Sequence, residues 1–252
     1  MFRIFLQHCN AEIRRMENII QKIRDLDWAA ITETMHTQGY AIIPKLLTDS
    51  QCDLLKKGYG DSGGYRKTVI MAKHRFGLGE YKYFDYPLPD LIQTIRSEFY
   101  PYLAIIANAW FRALGIKLSF PPKHEEFLTH CRRHGQEQAT VLILKYTQGG
   151  FNTLHQDLYG EVYFPMQVVL MLDEPEFDFT GGEFVLTQQI PRAQSKAIVL
   201  KPKKGELVLF ATNFRPEKGR MGYFRVNMKH GVSEVTSGER HALGIIFHDA
   251  EK

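Results

Sequence analysis

Cysteine is scarce in this 252-residue chain. Cys9, Cys52 and Cys131 are odd in number and widely scattered, which argues against a disulfide-framed fold and fits a reducing compartment with buried or idle thiols. Long apolar runs are missing as well. No stretch approaches the roughly 18 consecutive apolar residues that a membrane-spanning helix needs. The opening "MFRIFLQHCNAEIRRMENII" brings charge among its apolar residues too early for the core of a signal peptide. We therefore expect a cytosolic protein with no membrane partner. Internal repeats and low-complexity linkers are also lacking. With 44% hydrophobic and 24% charged residues, the chain can form one extended domain.

Net charge is small, at +4, but it is unevenly spread. Between Phe151 and Ile190 there are seven acids and no Lys or Arg, whereas Arg192 to Lys229 carries ten bases against Glu206 and Glu217. A basic segment such as 192–229 marks either a polyanion partner, nucleic acid above all, or a set of solvated loops.

The first half reads as mainly helical. Asp27 can cap a helix carrying Trp28, Ile31 and Met35, which Gly39 stops before the strand-like "YAIIP". A second helix fits "TDSQCDLLKKGYG". A third runs from Pro89 through Leu91, Ile95 and Phe99, with Pro101 expected to break or restart it and Gly115 to end it. "PPKHEEFLTHCRRHG" supplies the last. Beyond Gln138 the apolar period becomes two, in "ATVLILKY", "VYFPMQVVLMLD", "GEFVLTQQ", "AIVLKP", "ELVLFAT", "YFRVNMKHGV" and "RHALGIIFH". Strands at such spacing imply a sandwich or barrel. We expect a mainly helical support region, 1–135, and a strand-rich core, 136–252, within one continuous domain.

The stretch "YTQGGFNTLHQDLYG" carries the chemistry. On an extended chain residues i and i+2 face the same side, so His155 and Asp157 converge on one point. The later strand "FRVNMKHGVSEV" offers His230 as a third ligand. Two imidazoles and one carboxylate form the facial triad of non-heme iron(II), with positions left open for a cosubstrate and O2; catalytic zinc is the competing metal. His124 and Glu126 repeat the spacing, but in a helical stretch where i and i+2 diverge by about 200°. Arg240 follows His230 by ten residues and begins an apolar strand expected to pair beside it. Its guanidinium can grip a carboxylate bidentately, as a small dicarboxylate cosubstrate requires.

In this order, "YTQGGFNTLHQD", "TGGEFVL", "KKGELVLF" and "HGVSEVTSGER" resemble the iron(II)- and 2-oxoglutarate-dependent oxygenases, and in particular their prolyl hydroxylase-like members. The resemblance implies an α+β protein in which a double-stranded β-helix, a cupin-like jelly roll, has an N-terminal helical region packed on it. It places iron(II) on His155, Asp157 and His230 and the distal carboxylate of 2-oxoglutarate on Arg240, with O2 as the second cosubstrate. Over nearly the whole chain, "YPLPDLI", "ANAW", "NTLHQDLYGE", "DFTGGEF", "PRAQSKA" and "HALGIIFHDA" look like a bacterial oxygenase family suspected, from similarity to AlkB-like enzymes, of oxidising alkylated bases in DNA.

Two departures stand out. The second arginine of AlkB-like enzymes is replaced by Ile246, and Ala242 stands where a serine hydroxyl is common. Tyr146 is the candidate for completing the cosubstrate's hydrogen bonds, since many family members use a tyrosine there. Asn152, Gln156 and Tyr159 bracket the metal pair as either substrate-side or turn groups, Gln156 pointing away from its neighbours. Strand parity keeps Arg225 and Asn227 off the face of His230. The aromatics from Tyr81 to Tyr86 either stack a flat substrate or pack a loop. Two substrate classes follow: an alkylated nucleic-acid base, favoured by segment 192–229, or an amino acid, protein or metabolite, favoured by the prolyl hydroxylase-like spacing. A non-catalytic jelly-roll binding module is the alternative from a different class.

Overall fold

The computed structural model describes residues 18–61 and 63–251; Cys9 and the opening segment 1–17 lie outside the described residues. Helix α1 (Trp28–Gln38) starts where Asp27 accepts a hydrogen bond from the Ala30 amide and stops at Gly39, in the left-handed conformation. Strand β1 (Tyr40–Ile43) follows, and α2 (Asp49–Gly58) opens on a reciprocal capping box between Thr48 and Gln51. Then come β2 (Tyr65–Ile70), a 3-10 turn (Met71–His74), β3 (Gly77–Leu78) and β4 (Glu80–Phe84). Helices α3 (Asp90–Ala113) and α4 (His124–Arg133) complete the first half. The region read as mainly helical thus also supplies four strands. "YRKTVI" and "EYKYF" alternate too poorly to announce themselves, because only part of each is buried.

Ten further strands follow: β5 (Leu142–Thr147), β6 (Phe151–His155), β7 (Met166–Met171), β8 (Phe179–Gly181), β9 (Phe184–Gln189), β10 (Lys196–Leu200), β11 (Leu207–Ala211), β12 (Phe214–Gly219), β13 (Gly222–Val232) and β14 (Val235–Ile246). They form two antiparallel sheets. The larger has the order β1-β11-β7-β14-β5-β4-β2 with β8 against β14; the smaller is β10-β9-β13-β6-β3 with β12 against β13. Strands from both halves of the chain share each sheet. The double-stranded β-helix expected from the sequence is the fold, with helices laid on its larger sheet.

Strand β7 is buried along its whole length because both its faces are covered. Val168 and Leu170 join the main core with Ile92, Ile95, Phe99 and Leu103 of α3, while Val169 faces Phe184, Phe210 and Ala242 between the sheets. Helix α3 runs unbroken through Pro101, contrary to the sequence expectation. An internal proline costs about 3 kcal/mol, yet residues on both sides of it bury the same stripe, from Ile92 and Ile95 to Ile106 and Trp110. Trp28 stacks face to face on the neighbouring Tyr102 at 4.1 Å. Packing therefore outweighs local propensity.

A buried ion pair joins α3 to the end of the sheet. Arg96 Nη2 lies 2.8 Å from Asp249 Oδ1, its Nε donates to the Ile246 carbonyl at 2.9 Å, and its Nη1 donates to the Tyr86 hydroxyl at 2.7 Å. Cys52 and Cys131 are buried, and burial pushes both thiols up to about 11. Nothing in the described residues is a helix long and apolar enough to cross a membrane.

His124, the partner in the false His-x-Glu pair, sits in α4 with Nε2 2.8 Å from the Phe247 carbonyl oxygen. His248 accepts from the Phe164 amide at 3.2 Å. Burial, and then the nearby Arg96 charge, lowers both imidazoles to about 3 from the ordinary 6.5. The unfolded chain binds these protons near pH 6.5 and the folded chain does not, so stability is intact above that value and falls as pH drops toward 3. Each histidine contributes a slope of about 1.4 kcal/mol per pH unit inside the window. Urea melts across it should show this loss, and His124→Asn should flatten the profile by about that slope.

Candidate metal centre and its cavity

Strand β6 ends on His155, and two residues later the chain delivers Asp157 to the same point. Antiparallel pairing of β13 with β6 sets His230 directly opposite His155, so their ring centroids lie 4.2 Å apart. His155 Nε2 is 3.5 Å from Asp157 Oδ1, and His230 Nε2 is 3.3 Å from Asp157 Oδ2. One ligand atom from each residue falls within 4.8 Å of the others, the single such group among the described residues. Two ligands at right angles, with bonds of about 2.1 Å, stand about 3 Å apart, so these side chains fit one cation.

Their surroundings prepare them for it. His155 Nδ1 lies 2.7 Å from the Thr153 carbonyl oxygen, which takes its N–H and leaves Nε2 free to ligate. Burial alone would raise the Asp157 carboxyl, but hydrogen bonds and charge from His155 and His230 outweigh it and hold it well below the usual carboxylate range. For His230, burial and the neighbouring His155 lower the pKa and favour the neutral ring.

Two side chains steady the carboxylate. The Tyr159 hydroxyl donates to Asp157 Oδ1 at 2.7 Å, and Gln167 Nε2 donates to Oδ2 at 2.9 Å while lying 3.1 Å from His230 Nε2. Burial and the Asp157 charge push the Tyr159 phenol well above its ordinary value, which keeps it a donor. Sequence reasoning missed Gln167. Its signal was there: it is the lone polar side chain of β7, "MQVVLM", and such a residue in a doubly covered strand needs a partner. Gln156 also borders the cavity, but its amide donates to the carbonyl oxygens of Asn213 and Met228 at 2.9 and 2.8 Å. Arg225 lies over the Phe214 ring at 4.8 Å, and neither it nor Asn227 lines the cavity.

A cavity of about 210 Å³ joins the triad to Arg240 and Tyr146, walled by Leu144, Val169, Phe184, Phe210 and Ala242. Arg240 does not reach it in the expected way. Strand β14 pairs with β5, β7 and β8 in the larger sheet, whereas the His230 strand belongs to the smaller one. The chain changes sheet between Val232 and Val235, so Arg240 enters from the opposite wall. There it faces Tyr146 in register across β5, with its guanidinium 5.5 Å from that ring's centroid. Gly182, at φ +61°, makes room: a Cβ there would come within 2.9 Å of Arg240 Cδ.

Arg240 is 1% exposed, and its Nε and Nη2 have no hydrogen-bond partner; no carboxylate pairs with it among the described residues. A buried, unpaired cation is costly enough to demand a ligand. The Tyr146 hydroxyl is also buried and makes no hydrogen bond of ordinary geometry; burial raises its pKa to about 12, against the Arg240 charge and the Asn152 side chain beside it, which lower it. These orphaned donors fit an organic carboxylate, and the triad fits a metal. Ala242 and Ile246 line the same space, so neither the missing hydroxyl nor the missing second arginine is restored there. Of the aromatics from Tyr81 to Tyr86, Tyr81 alone lines the cavity; Tyr83 packs beside Val69 and Leu142, and the Tyr86 hydroxyl serves Arg96 and Asp249.

Solved structures share this fold. A prolyl-4-hydroxylase from Pseudomonas putida aligns with TM-score 0.50 and 15% identity, covering 89% of this chain and 99% of its own. An oxidoreductase of the 2OG-Fe(II) oxygenase family from Burkholderia pseudomallei aligns with TM-score 0.50 and 12% identity over 90% and 94% of the two chains. A Trichoplax adhaerens prolyl hydroxylase, solved with a peptide fragment of the hypoxia inducible factor oxygen degradation domain, gives 0.50 and 14% over 92% and 91%. These likenesses show the shared fold; the triad and the anion-free Arg240 beside it are features of this chain itself.

Residues 79–250 match the family Oxygenase-NA, described as an oxygenase catalysing oxidative methylation of damaged DNA, and the chain belongs to that family. The uncharacterized protein Rv2227 of Mycobacterium tuberculosis is 43% identical over 190 residues, which are 73% of this chain and 82% of that protein. The alternative of a non-catalytic binding module falls with this assignment.

Removing a partner of Asp157 should be felt by the metal. Gln167→Leu and Tyr159→Phe are each expected to lower iron(II) affinity about 10–100-fold, read by anaerobic titration calorimetry.

Proposed function

We propose that this oxygenase acts on an alkylated nucleic-acid base, with iron(II) on His155, Asp157 and His230 and 2-oxoglutarate held at its far carboxylate by Arg240 and Tyr146. The observation that carries the site assignment is the buried guanidinium without an anion, sharing one cavity with the triad. Iron(II) supplies activation of O2, with 2-oxoglutarate oxidised to succinate and carbon dioxide and one oxygen atom inserted into a substrate C–H bond. The protein's own residues do the rest. Arg240 neutralises and orients the distal carboxylate, and the Tyr146 hydroxyl donates in place of the serine that Ala242 lacks. Leu144, Val169 and Phe210 keep water from the space between. The His155 side chain, 32% exposed, marks the side on which the centre opens to substrate.

The family description and the uneven basic charge support a nucleic-acid substrate. Oxidation of an N-methyl group gives an N-hydroxymethyl base, which loses formaldehyde and leaves the demethylated base. Within segment 192–229, Lys201, Lys204 and Arg215 are paired with acids, while Arg192, Lys196, Lys218, Arg220, Arg225 and Lys229 are exposed and lie away from the lining of the cavity. A cytosolic setting belongs to the same reading and rests on the scattered cysteines.

The test is anaerobic loading with iron(II) and 2-oxoglutarate, admission of O2, and quantification of succinate with methylated oligonucleotides or proline-containing peptides present. Wild type should form succinate and release formaldehyde with the oligonucleotide. His155→Ala should be inactive. Arg240→Ala should raise KM for 2-oxoglutarate on the order of 10–100-fold, the loss of charged hydrogen bonds worth about 1.5–3 kcal/mol. Turnover with the peptide alone would replace the base by a prolyl substrate, and zinc-supported activity without O2 would overturn the iron assignment.

A further inference from the structure

One feature outside the triad and the carboxylate pocket has chemistry of its own. Between β2 and β4, both in the larger sheet, the chain leaves that sheet and makes the 3-10 turn Met71–His74. It then adds β3 to the edge of the smaller sheet beside β6 and returns. This strap spans the two sheets beside the centre. Phe76, at its middle, both lines the cavity and is 45% exposed, so its ring stands where the cavity meets solvent.

The strap is built to hold that position. Met71 is fully buried among Tyr146, Phe179 and Val232 under the Arg240 end. The Met71 amide donates to the Gly79 carbonyl at 3.0 Å, and the Phe76 amide to the Met71 carbonyl at 3.2 Å. From β6, the amide and hydroxyl of Thr153 both donate to the Phe76 carbonyl at 2.9 Å, two residues before His155. Gly77, at φ +136°, permits this approach, since a Cβ there would run into the Phe151 carbonyl oxygen. Arg75 occupies the left-handed region at φ +60°, which a side-chain-bearing residue adopts at a cost of about 1–2 kcal/mol. A conformation of that kind persists only where its surroundings enforce it.

Its side chains are cationic and aromatic. Lys73, His74 and Arg75 are exposed, and the His74 ring stacks on Phe76 at 5.3 Å with 21° between planes. Among the described residues no carboxylate lies within ion-pair distance of Lys73 or Arg75, and the next acid along the chain, Glu80, accepts from the Tyr59 hydroxyl at 2.5 Å. None of the ten bases of segment 192–229 lines the cavity. Unpaired cations flanking a pinned aromatic ring at the mouth of a reaction centre match what a single strand offers: a planar base between phosphates. A base reaches such a centre only when unpaired or flipped from its duplex.

We propose that the strap 71–79 is the substrate-recognition element, with Phe76 stacking the base presented to the triad and Lys73 and Arg75 holding the flanking phosphates. The proposal rests on the nucleic-acid reading above and assigns residues that reading leaves open.

The experiment is fluorescence anisotropy with a labelled single-stranded oligonucleotide carrying one N-methylated base, titrated with protein loaded with manganese(II) and 2-oxoglutarate, at several salt concentrations. Lys73→Gln with Arg75→Asn, asparagine being suited to the left-handed backbone, should weaken binding at least 10-fold. It should also reduce the steepness of log K against log salt by about 1.4, for two phosphates lost on a single strand. Phe76→Ala should weaken binding about 5- to 100-fold with the salt slope unchanged. Lys218→Gln with Arg220→Gln, on the β12–β13 hairpin, should bind as wild type does. Thermal melts verify that each variant folds.

Loss of binding in the hairpin variant with none in the strap variants would overturn the assignment and move the phosphate face to β12–β13. Failure of wild type to bind the oligonucleotide, with succinate formed on a peptide, would overturn it while leaving the oxygenase intact. Binding that depends on the strap, with no succinate formed, would uphold it and defeat the catalytic reading instead.

Discussion

The site depends on one register, the antiparallel pairing that sets His230 of β13 opposite His155 of β6. Side chains alternate faces along a strand, so a slip of one residue would send one imidazole to the outer face and dissolve the cluster. The neighbouring pairing of β13 with β9 holds the same strand in place, aligning His230 with Leu186 between Lys229–Thr187 and Gly231–Val185. Asp157 lies beyond the ladder and is fixed by side chains instead, Tyr159 on one oxygen and Gln167 on the other. Gln167 comes from β7 in the opposite sheet, so the metal position is defined only once the two sheets have packed together.

Electrostatics explains why the two sheets enclose opposite requirements. The smaller sheet contributes a group that needs a cation, an ionised Asp157 flanked by imidazoles, and the larger contributes a buried guanidinium that needs an anion. Were the two in contact they would satisfy each other. Instead Arg240 is kept among Tyr146, Phe179 and Gly182, and its nearest charged influences are Asp173 and Glu183 at a distance, insufficient to prevent burial from lowering its pKa. A metal on one side and a dicarboxylate on the other, as proposed above, would resolve both deficits at once. The uncompensated charges are a structural cost carried by the site, and the large two-sided core around β7 and α3 offsets it.

Legibility in the sequence followed locality. Asp27 and Gly39 delimit α1, Thr48 caps α2, and the apolar runs after Gln138 became strands, because each signal acts within a few residues. Pro101 misled for the same reason: its local penalty is real, but the stripe that overrides it is buried by residues distant in the chain. Strands β2, β4, β8 and β12 were not anticipated, since "YRKTVI" and "FRPEKG" have little periodicity and owe their strand form to the neighbours they pair with. The Arg96–Asp249 pair spans 153 residues of sequence and could not be read from either end.

By itself the sequence determined which groups the centre contains. His155, Asp157, His230, Arg240 and Tyr146 all line one cavity; the i, i+2 spacing in extended chain announced His155 and Asp157, and the resemblance to the oxygenases pointed to Tyr146. Only the tertiary structure decided how they meet. It put β13 and β14 in different sheets, left Arg240 without an anion, and brought Gln167 to the carboxylate. It also carried Phe76, about 80 residues before the triad, to the rim. The reason is that register and sheet order are settled by which apolar faces can be buried together, a property of the whole chain that no single segment records.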